Sequence, residues 1–325
     1  MQGREKYMEN ITKTYVGVDI SKNKFDVYLH PIGKAFSFAN SKDGVEKLIA
    51  HLSTYTIEQI VCESTGGYEN LMLKMLRALG FNVWQVEPNR IKSFIRSKGK
   101  KVKTDVIDAH MIALFSAQEM QEHKHIEYGE SHELLRDLVK RKKDLVEMIV
   151  SERQRLKHPS RVFCKLEIQA HIDFMNKQIT EIEIAIEDII DKDDDLNKKV
   201  EIIESVPGIG KATAAMLVAE MPELGKIENK KAAALVGVAP YTQQSGQYKG
   251  KSFISGGRAV VRSAIYMAAL VASRFNPAMK EFYRRLCDVG KKAPKVALVA
   301  VMRKLIIILN VMVKKQTKWN CMEKA

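Results

Sequence analysis

The chain has 325 residues, with 53 Lys and Arg against 39 Asp and Glu, a formal net charge of +14 and 46% apolar residues. That apolar share with mixed charge excludes a disordered chain. Four scattered cysteines without a CxxC pair exclude a disulfide scaffold and a cysteine-type zinc site, and they suit a reducing cytoplasm.

The length suggests about two domains, each able to bury its own core. The positive surplus favours polyanions, nucleic acid foremost, over the bland alternative of a generally basic composition. The opening MQGREKYMEN is polar and charged, so no signal peptide is expected. The apolar run 296–313 is interrupted by Arg303, Lys304 and Asn310. A membrane span needs roughly 18 unbroken apolar residues, so a packed helix is expected there.

From residue 13 the elements follow in order. TYVGVDIS, KFDVYLH and KAFSFAN alternate with period two and read as three successive strands. A helix is predicted over 43–52, a strand at EQIVCES, a helix over 68–79, a strand at FNVWQVE, a helix opened by Pro88, and another over 105–115. Three adjacent strands imply two hairpin connections, and the later alternation implies parallel crossovers. This is an α/β order of the ribonuclease H-like kind, assigned to a domain of residues 13–125.

Residues 126–197 read as a helical coiled-coil connector. Ile179, Ile182, Ile186 and Ile189 form a heptad-like seam, with a weaker one at Leu138, Leu145, Ile149 and Leu156 and a turn at Pro159. The seam fits an antiparallel or intermolecular helical hairpin, or an ordinary amphipathic helix packed on its own domain. Residues 198–325 form a mainly helical, glycine-punctuated third domain.

Four carboxylates stand out in the first domain. Asp19 lies in VGVDIS on the first strand and Glu63 ends the fourth. Asp105 and Asp108, in KTDVIDA, are three apart and share one helical face. Two carboxylates about 4 Å apart repel by roughly 4 kcal/mol at an effective dielectric near 20, so a cluster of four calls for cations. Mg²⁺ takes oxygen ligands while keeping several waters, and paired ions suit phosphoryl displacement. Singly, each acid also reads as a turn, loop or helix-start residue. Asp26 on the second strand is a rival, expected to face solvent or pair with a lysine. The segment before the acidic pair carries Arg90, Lys92, Arg96, Lys98, Lys100, Lys101 and Lys103 with no acid among them. It reads as a phosphate-holding stretch or a solvated loop.

In the last domain SVPGIGKATA fits a helix-hairpin-helix turn. There Gly208, Gly210 and Lys211 let backbone N–H groups approach a phosphate. A purely structural turn is the other reading. Ser245 lies in a Gly- and Gln-rich loop followed by Lys249, Lys251, Arg258 and Arg262. From spacing alone it reads as a turn serine, although cations around a serine suit attack on a phosphodiester. The helices over 276–310 either line a DNA groove or flank a core.

GVDISK, the Glu of VCESTGGYE, KTDVIDA, SVPGIGKATA, the QSG at Ser245, GGRAVVRSAIYMAAL and GKKAPKVALVAVMRKL together resemble, over about residues 13–315, the DEDD-type insertion-sequence transposases, or bridge-RNA-guided recombinases. The resemblance implies a RuvC-like first domain and an enzyme that excises and inserts its own element, with Mg²⁺ at Asp19, Glu63, Asp105 and Asp108. It implies a covalent serine–DNA link at Ser245 and a structured bridge RNA pairing with donor and target DNA. It also implies dimers that form tetramers on DNA, with half-sites from different protomers, acting in the bacterial cytoplasm at the nucleoid. Glycines in GGRAVVR and Val106 depart from the commoner family residues without touching a named ligand. The rivals are a RuvC-type metal-dependent junction nuclease, which has no use for Ser245, and a non-catalytic nucleic-acid-binding protein.

Overall fold

The computed structural model describes residues 13–99, 105–119, 129–158, 161–242, 244–245, 248–250 and 252–319, of which 105–107, 244–245 and 248–249 are described by backbone only. The chain divides into two compact units, Met1–Ile126 and Glu127–Ala325.

The first unit opens with β1 (Thr14–Ile20), β2 (Lys24–His30) and β3 (Lys34–Ala39), followed by α1 (Lys42–Leu52), β4 (Ile57–Glu63), α2 (Asn70–Ala78), β5 (Val83–Val86), α3 (Pro88–Ser97) and α4 (Asp105–Gln118). The five strands form one sheet of order β3-β2-β1-β4-β5. The hairpin pairs are antiparallel, whereas β1–β4 and β4–β5 are parallel. These are the two hairpins and the crossovers expected from the alternation of patterns.

Period two sorts the side chains of β1. Val16, Val18 and Ile20 are buried in a core that includes Leu48 and Leu52 of α1 and Met72 and Leu76 of α2. The opposite face meets α4, where Val61, Trp84, Ile91, Ile112 and Phe115 make a second core. Gly17 is the contact that lets α4 come down. A Cβ there would stand 2.2 Å from both the Ala109 carbonyl oxygen and the Ala113 nitrogen. Gly17→Ala is therefore expected to destabilise this unit by about 1–3 kcal/mol, the usual scale of overpacking. Urea unfolding followed by Trp84 emission checks this, because Trp84 stacks 5.2 Å from Phe115 of α4.

The second unit begins with α5 (Glu130–Leu156) and α6 (Val162–Lys192), an antiparallel hairpin joined by Lys142–Glu183 at 2.7 Å. Then come α7 (Asp194–Glu204), α8 (Lys211–Glu220), α9 (Asn229–Val236), the short strands β6 (Pro240–Tyr241), β7 (Gln244–Ser245), β8 (Tyr248–Lys249) and β9 (Phe253–Ile254), and α10 (Ala259–Phe275), α11 (Pro277–Asp288) and α12 (Pro294–Lys315). The isoleucine seam is largely spent within the chain. Ile186 is buried with Leu135 and Val139 in the core that also holds α7 to α12, Ile182 and Ile189 pack against that core, and Ile179 packs against Leu145, Ile149, Ile172 and Met175. The seam thus closes the hairpin on its own domain. The apolar residues that α6 leaves in solvent are others, among them Val162, Phe163, Leu166, Phe174 and Ile184.

Among the described residues α12 is the one helix long and apolar enough to cross a membrane, and more than half of that window is buried in the protein. Its Asn310 is buried and bonded, accepting from the Gly225 amide at 2.8 Å and donating to the Ile227 carbonyl at 2.9 Å. It packs as a core helix, as the interrupted apolar run implies.

Candidate functional site

The sheet register brings the acids of the first unit to one end. Val18 pairs with Cys62, and Asp19 and Glu63 are the next residues on parallel neighbouring strands. Asp19 shares its face with Gly17, which α4 covers, and Glu63 shares its face with Val61, which packs on α4. The direction of α4 is equally clear. Ser116, near its end, donates to Gln59 Oε1 at 3.2 Å close to the start of β4, while Ala109 lies over Gly17. The helix therefore runs against β1, and its first turns, bearing Asp105 and Asp108, lie toward the carboxyl ends of β1 and β4. Asp19, Glu63 and Asp108 are all half-buried. The side chain of Asp105 lies outside the described residues. Among the described residues no group of three or more His, Cys, Asp or Glu is close enough to hold a metal ion.

Asp26 is the register partner of Asp19 on β2 and so shares its face. It is buried and meets Lys24 Nζ at 2.9 Å, the lysine pairing expected of it. Cys62, next to Glu63, is no competing nucleophile, since burial pushes its thiol up to about 12.

Two residues that pattern reading passed over hold the loops beside these acids. Asn40 Nδ2 donates to the Ser21 carbonyl at 3.0 Å and to the Tyr68 carbonyl at 3.1 Å, tying the turn after β1 to the loop after β4. Glu69 is 2% exposed and accepts from Thr65 Oγ1 at 2.6 Å, the Gly67 amide at 2.9 Å and Gln85 Nε2 at 2.7 Å. Burial alone would raise its pKa. The hydrogen bonds from Thr65 and the nearby amides outweigh that and hold the carboxyl below its usual range.

The sign of the pH effect follows. The ionised Glu69 contributes its full stabilisation above the ordinary glutamate pKa, and the contribution is lost as pH falls through the lowered one. Glu69→Gln is expected to cost about 1–3 kcal/mol at neutral pH, because an amide N–H₂ then faces donors. It should also flatten the acid side of the stability profile, as read by melting temperature against pH.

The basic residues separate into engaged and open ones. Arg90, counted among the acid-free cations before the Asp pair, is bound to Glu119 at 3.0 Å and lies over Trp84 at 4.9 Å, a structural role. Lys98 is exposed over the Phe94 ring at 5.2 Å. Lys100, Lys101, Lys103 and Lys251 lie outside the described residues.

In the turn between α7 and α8, Gly208 has φ +108° and its missing Cβ would meet Ala272 Cα of α10 at 2.9 Å, so packing accounts for this glycine. Gly210, the residue preceding α8, has open space around it. Lys211 meets Glu187 at 3.1 Å in a half-exposed pair of the kind worth roughly 0–1 kcal/mol, open to exchange for a phosphate. Arg258 binds Glu223 and the Glu220 carbonyl, both at 2.6 Å, and Arg262 donates to the Gly256 carbonyl. These arginines fasten the GGRAVVR loop, a use that charge alone does not reveal. The backbone of Ser245 pairs with Tyr248 in the β7–β8 ladder; its side chain, like that of Lys249, lies outside the described residues.

Comparison with known proteins gives the family. Residues 16–159 match a DEDD transposase family of insertion sequence IS110, and residues 200–284 match the transposase IS116/IS110/IS902 family. The chain is 29% identical over 313 residues to the pilin gene-inverting protein of Moraxella bovis, across 92% of this chain and 95% of the relative. It is 29% identical over the same shares to the pilin gene-inverting protein of Moraxella lacunata.

Proposed function

The chain belongs to the IS116/IS110/IS902 transposase family and is a DNA-rearranging enzyme, and from that premise we propose that it excises and inserts its own insertion sequence through a serine–DNA ester formed by Ser245. The carrying observation is the register that sets Asp19 beside Glu63 at the sheet end toward which α4 brings Asp105 and Asp108. Four carboxylates supply hard oxygen donors, which fit a divalent cation such as Mg²⁺, and metal use goes with a DEDD family. Bound by Asp19, Glu63, Asp105 and Asp108, that ion would supply polarisation of a scissile phosphate.

The chain's own residues do the rest. The Ser245 hydroxyl attacks phosphorus, so that an Oγ–P bond forms and a P–O bond of the DNA strand breaks. The serine proton is given up and the departing DNA hydroxyl gains one. Because the ester conserves the bond, the reverse attack by a DNA hydroxyl rejoins strands without a nucleotide cofactor. Gene inversion, the activity named for the Moraxella relatives, requires both cutting and rejoining. Cutting by water alone would leave the ends unjoined, which favours the ester over a junction nuclease.

Lys98, Lys100, Lys101, Lys103, Lys211, Lys249 and Lys251 belong in this reading to the nucleic-acid path, with a structured bridge RNA pairing with donor and target. The exposed apolar residues of α6 belong to dimers that form tetramers on DNA at the nucleoid. Incubation of the full-length protein with labelled element-end DNA tests the core of the proposal. A protein–DNA species resistant to detergent is expected with Mg²⁺ and lost with a chelator. Nicked DNA carrying no protein would defeat it. Sequencing of co-purified RNA tests the guide: recovery of one structured species supports it, and recovery of none removes it.

A further inference from the structure

The positive charge of the second unit is unevenly used. Lys192, Lys199 and Lys318 each sit against a carboxylate, of Asp188, Asp195 and Glu201 respectively. Residues 280–304 hold eight Lys and Arg against Glu281 and Asp288, an excess of six in a chain whose whole surplus is 14. Among the described residues, none of those eight is paired with a carboxylate. Arg284, Arg285, Lys291, Lys292 and Lys295 are all exposed and cluster about the turn from α11 to α12.

That turn is built rather than loose. The Gly290 amide donates to the Arg285 carbonyl and the Lys292 amide to the Leu286 carbonyl, both at 3.0 Å. A Cβ on Gly290 would stand 2.8 Å from the Leu286 carbonyl oxygen, so the backbone is folded tightly onto the end of α11. Lys291 then takes φ +49°. Among the described residues only Gln316 shares that left-handed conformation without being glycine. Glycine adopts it freely, whereas lysine is strained in it. A lysine kept where glycine would be easier points to a use for its ammonium group.

We propose that the α11–α12 turn is a phosphodiester-backbone site, with Lys291, Lys292 and Lys295 as its phosphate contacts and duplex DNA as its ligand. The proposal stands whether or not the serine ester forms.

Fluorescence anisotropy of the full-length protein on duplex DNA, from 50 to 200 mM salt, provides the test. Each phosphate contact adds about 0.9 to the slope of log affinity against log salt. Removing three contacts in Lys291→Gly, Lys292→Gln, Lys295→Gln is expected to shrink the affinity lost over that range roughly 40-fold. The matched variant Lys192→Gln, Lys199→Gln, Lys318→Gln removes the same charge from paired positions, and its slope is expected to stay near that of the unmodified protein. Lys291→Gly alone is expected to keep or raise the melting temperature while lowering the slope by about 0.9, which separates contact from folding. If it fails to fold, Lys292→Gln with Lys295→Gln carries the same test with a drop of about 1.8. A parallel titration with a folded RNA identifies the source of the phosphates: a slope change on DNA supports the proposal, and a change on RNA alone overturns the choice of DNA. Equal slopes for the two triple variants would overturn the site itself.

Discussion

Ser245→Ala is expected to abolish the detergent-resistant protein–DNA species and to lower strand exchange by about a thousandfold or more, while duplex affinity stays within a few-fold. Loss of a nucleophile removes the step itself, not a share of transition-state binding, so a large effect is the natural scale. The fold should tolerate the change. Ser245 stands on a two-residue strand whose pairing to Tyr248 is made by backbone groups, and alanine keeps these. Cys62 offers no substitute, with its thiol pushed up to about 12 by burial. Labelled element-end DNA and a denaturing gel read the outcome. Retained cleavage at an undiminished rate would reassign the cut to water and make the chain a metal-dependent nuclease.

The parts of this site that could be read from sequence are those that local periodicity governs. Alternation in TYVGVDI and KFDVYLH placed Asp19 and Asp26 on strands, and the three-residue spacing of Asp105 and Asp108 placed them on one helix. Those patterns report backbone geometry directly. The isoleucine seam shows where periodicity stops being informative. A stripe at heptad spacing says that a face is buried but not by what, and here much of it is covered by the chain's own α5 and the core beyond. Arg90, Arg258 and Arg262 show the same for charge. Each was a cation in a basic stretch, and each donates to a carboxylate or carbonyl far along the chain or across a turn.

Glu69 and Asn40 carried no local signal. Their roles exist only once the turn after β1 and the loop after β4 lie side by side. Gly17 is intermediate: a glycine within a strand pattern marks a close approach of backbone, and the structure identifies α4 as what approaches. The Ser245 loop was informative only through likeness to a family, because a serine between Gln and Gly has no spacing that separates a nucleophile from a turn.

Asp19→Asn should lower DNA cleavage by about a thousandfold or more, with the fold and DNA affinity retained, and it carries a second, independent sign. Asparagine has the same shape, and Asp19 is half-buried at a strand end, so packing is barely disturbed. In chelator the melting temperature of the variant should stay close to that of the unmodified protein. Mg²⁺ should raise it in the unmodified protein and much less in Asp19→Asn, since binding to the folded state alone stabilises by mass action. Asp26→Asn is the stringent comparison. Asp26 shares the face of Asp19, pairs with it in register and meets Lys24 at 2.9 Å. Its loss should leave cleavage within about tenfold and the Mg²⁺ response intact. Thermal melts with and without Mg²⁺, run beside cleavage assays on both variants, decide the matter. Equal behaviour of the two, or full activity in Asp19→Asn, would remove the metal-holding role from this end of the sheet.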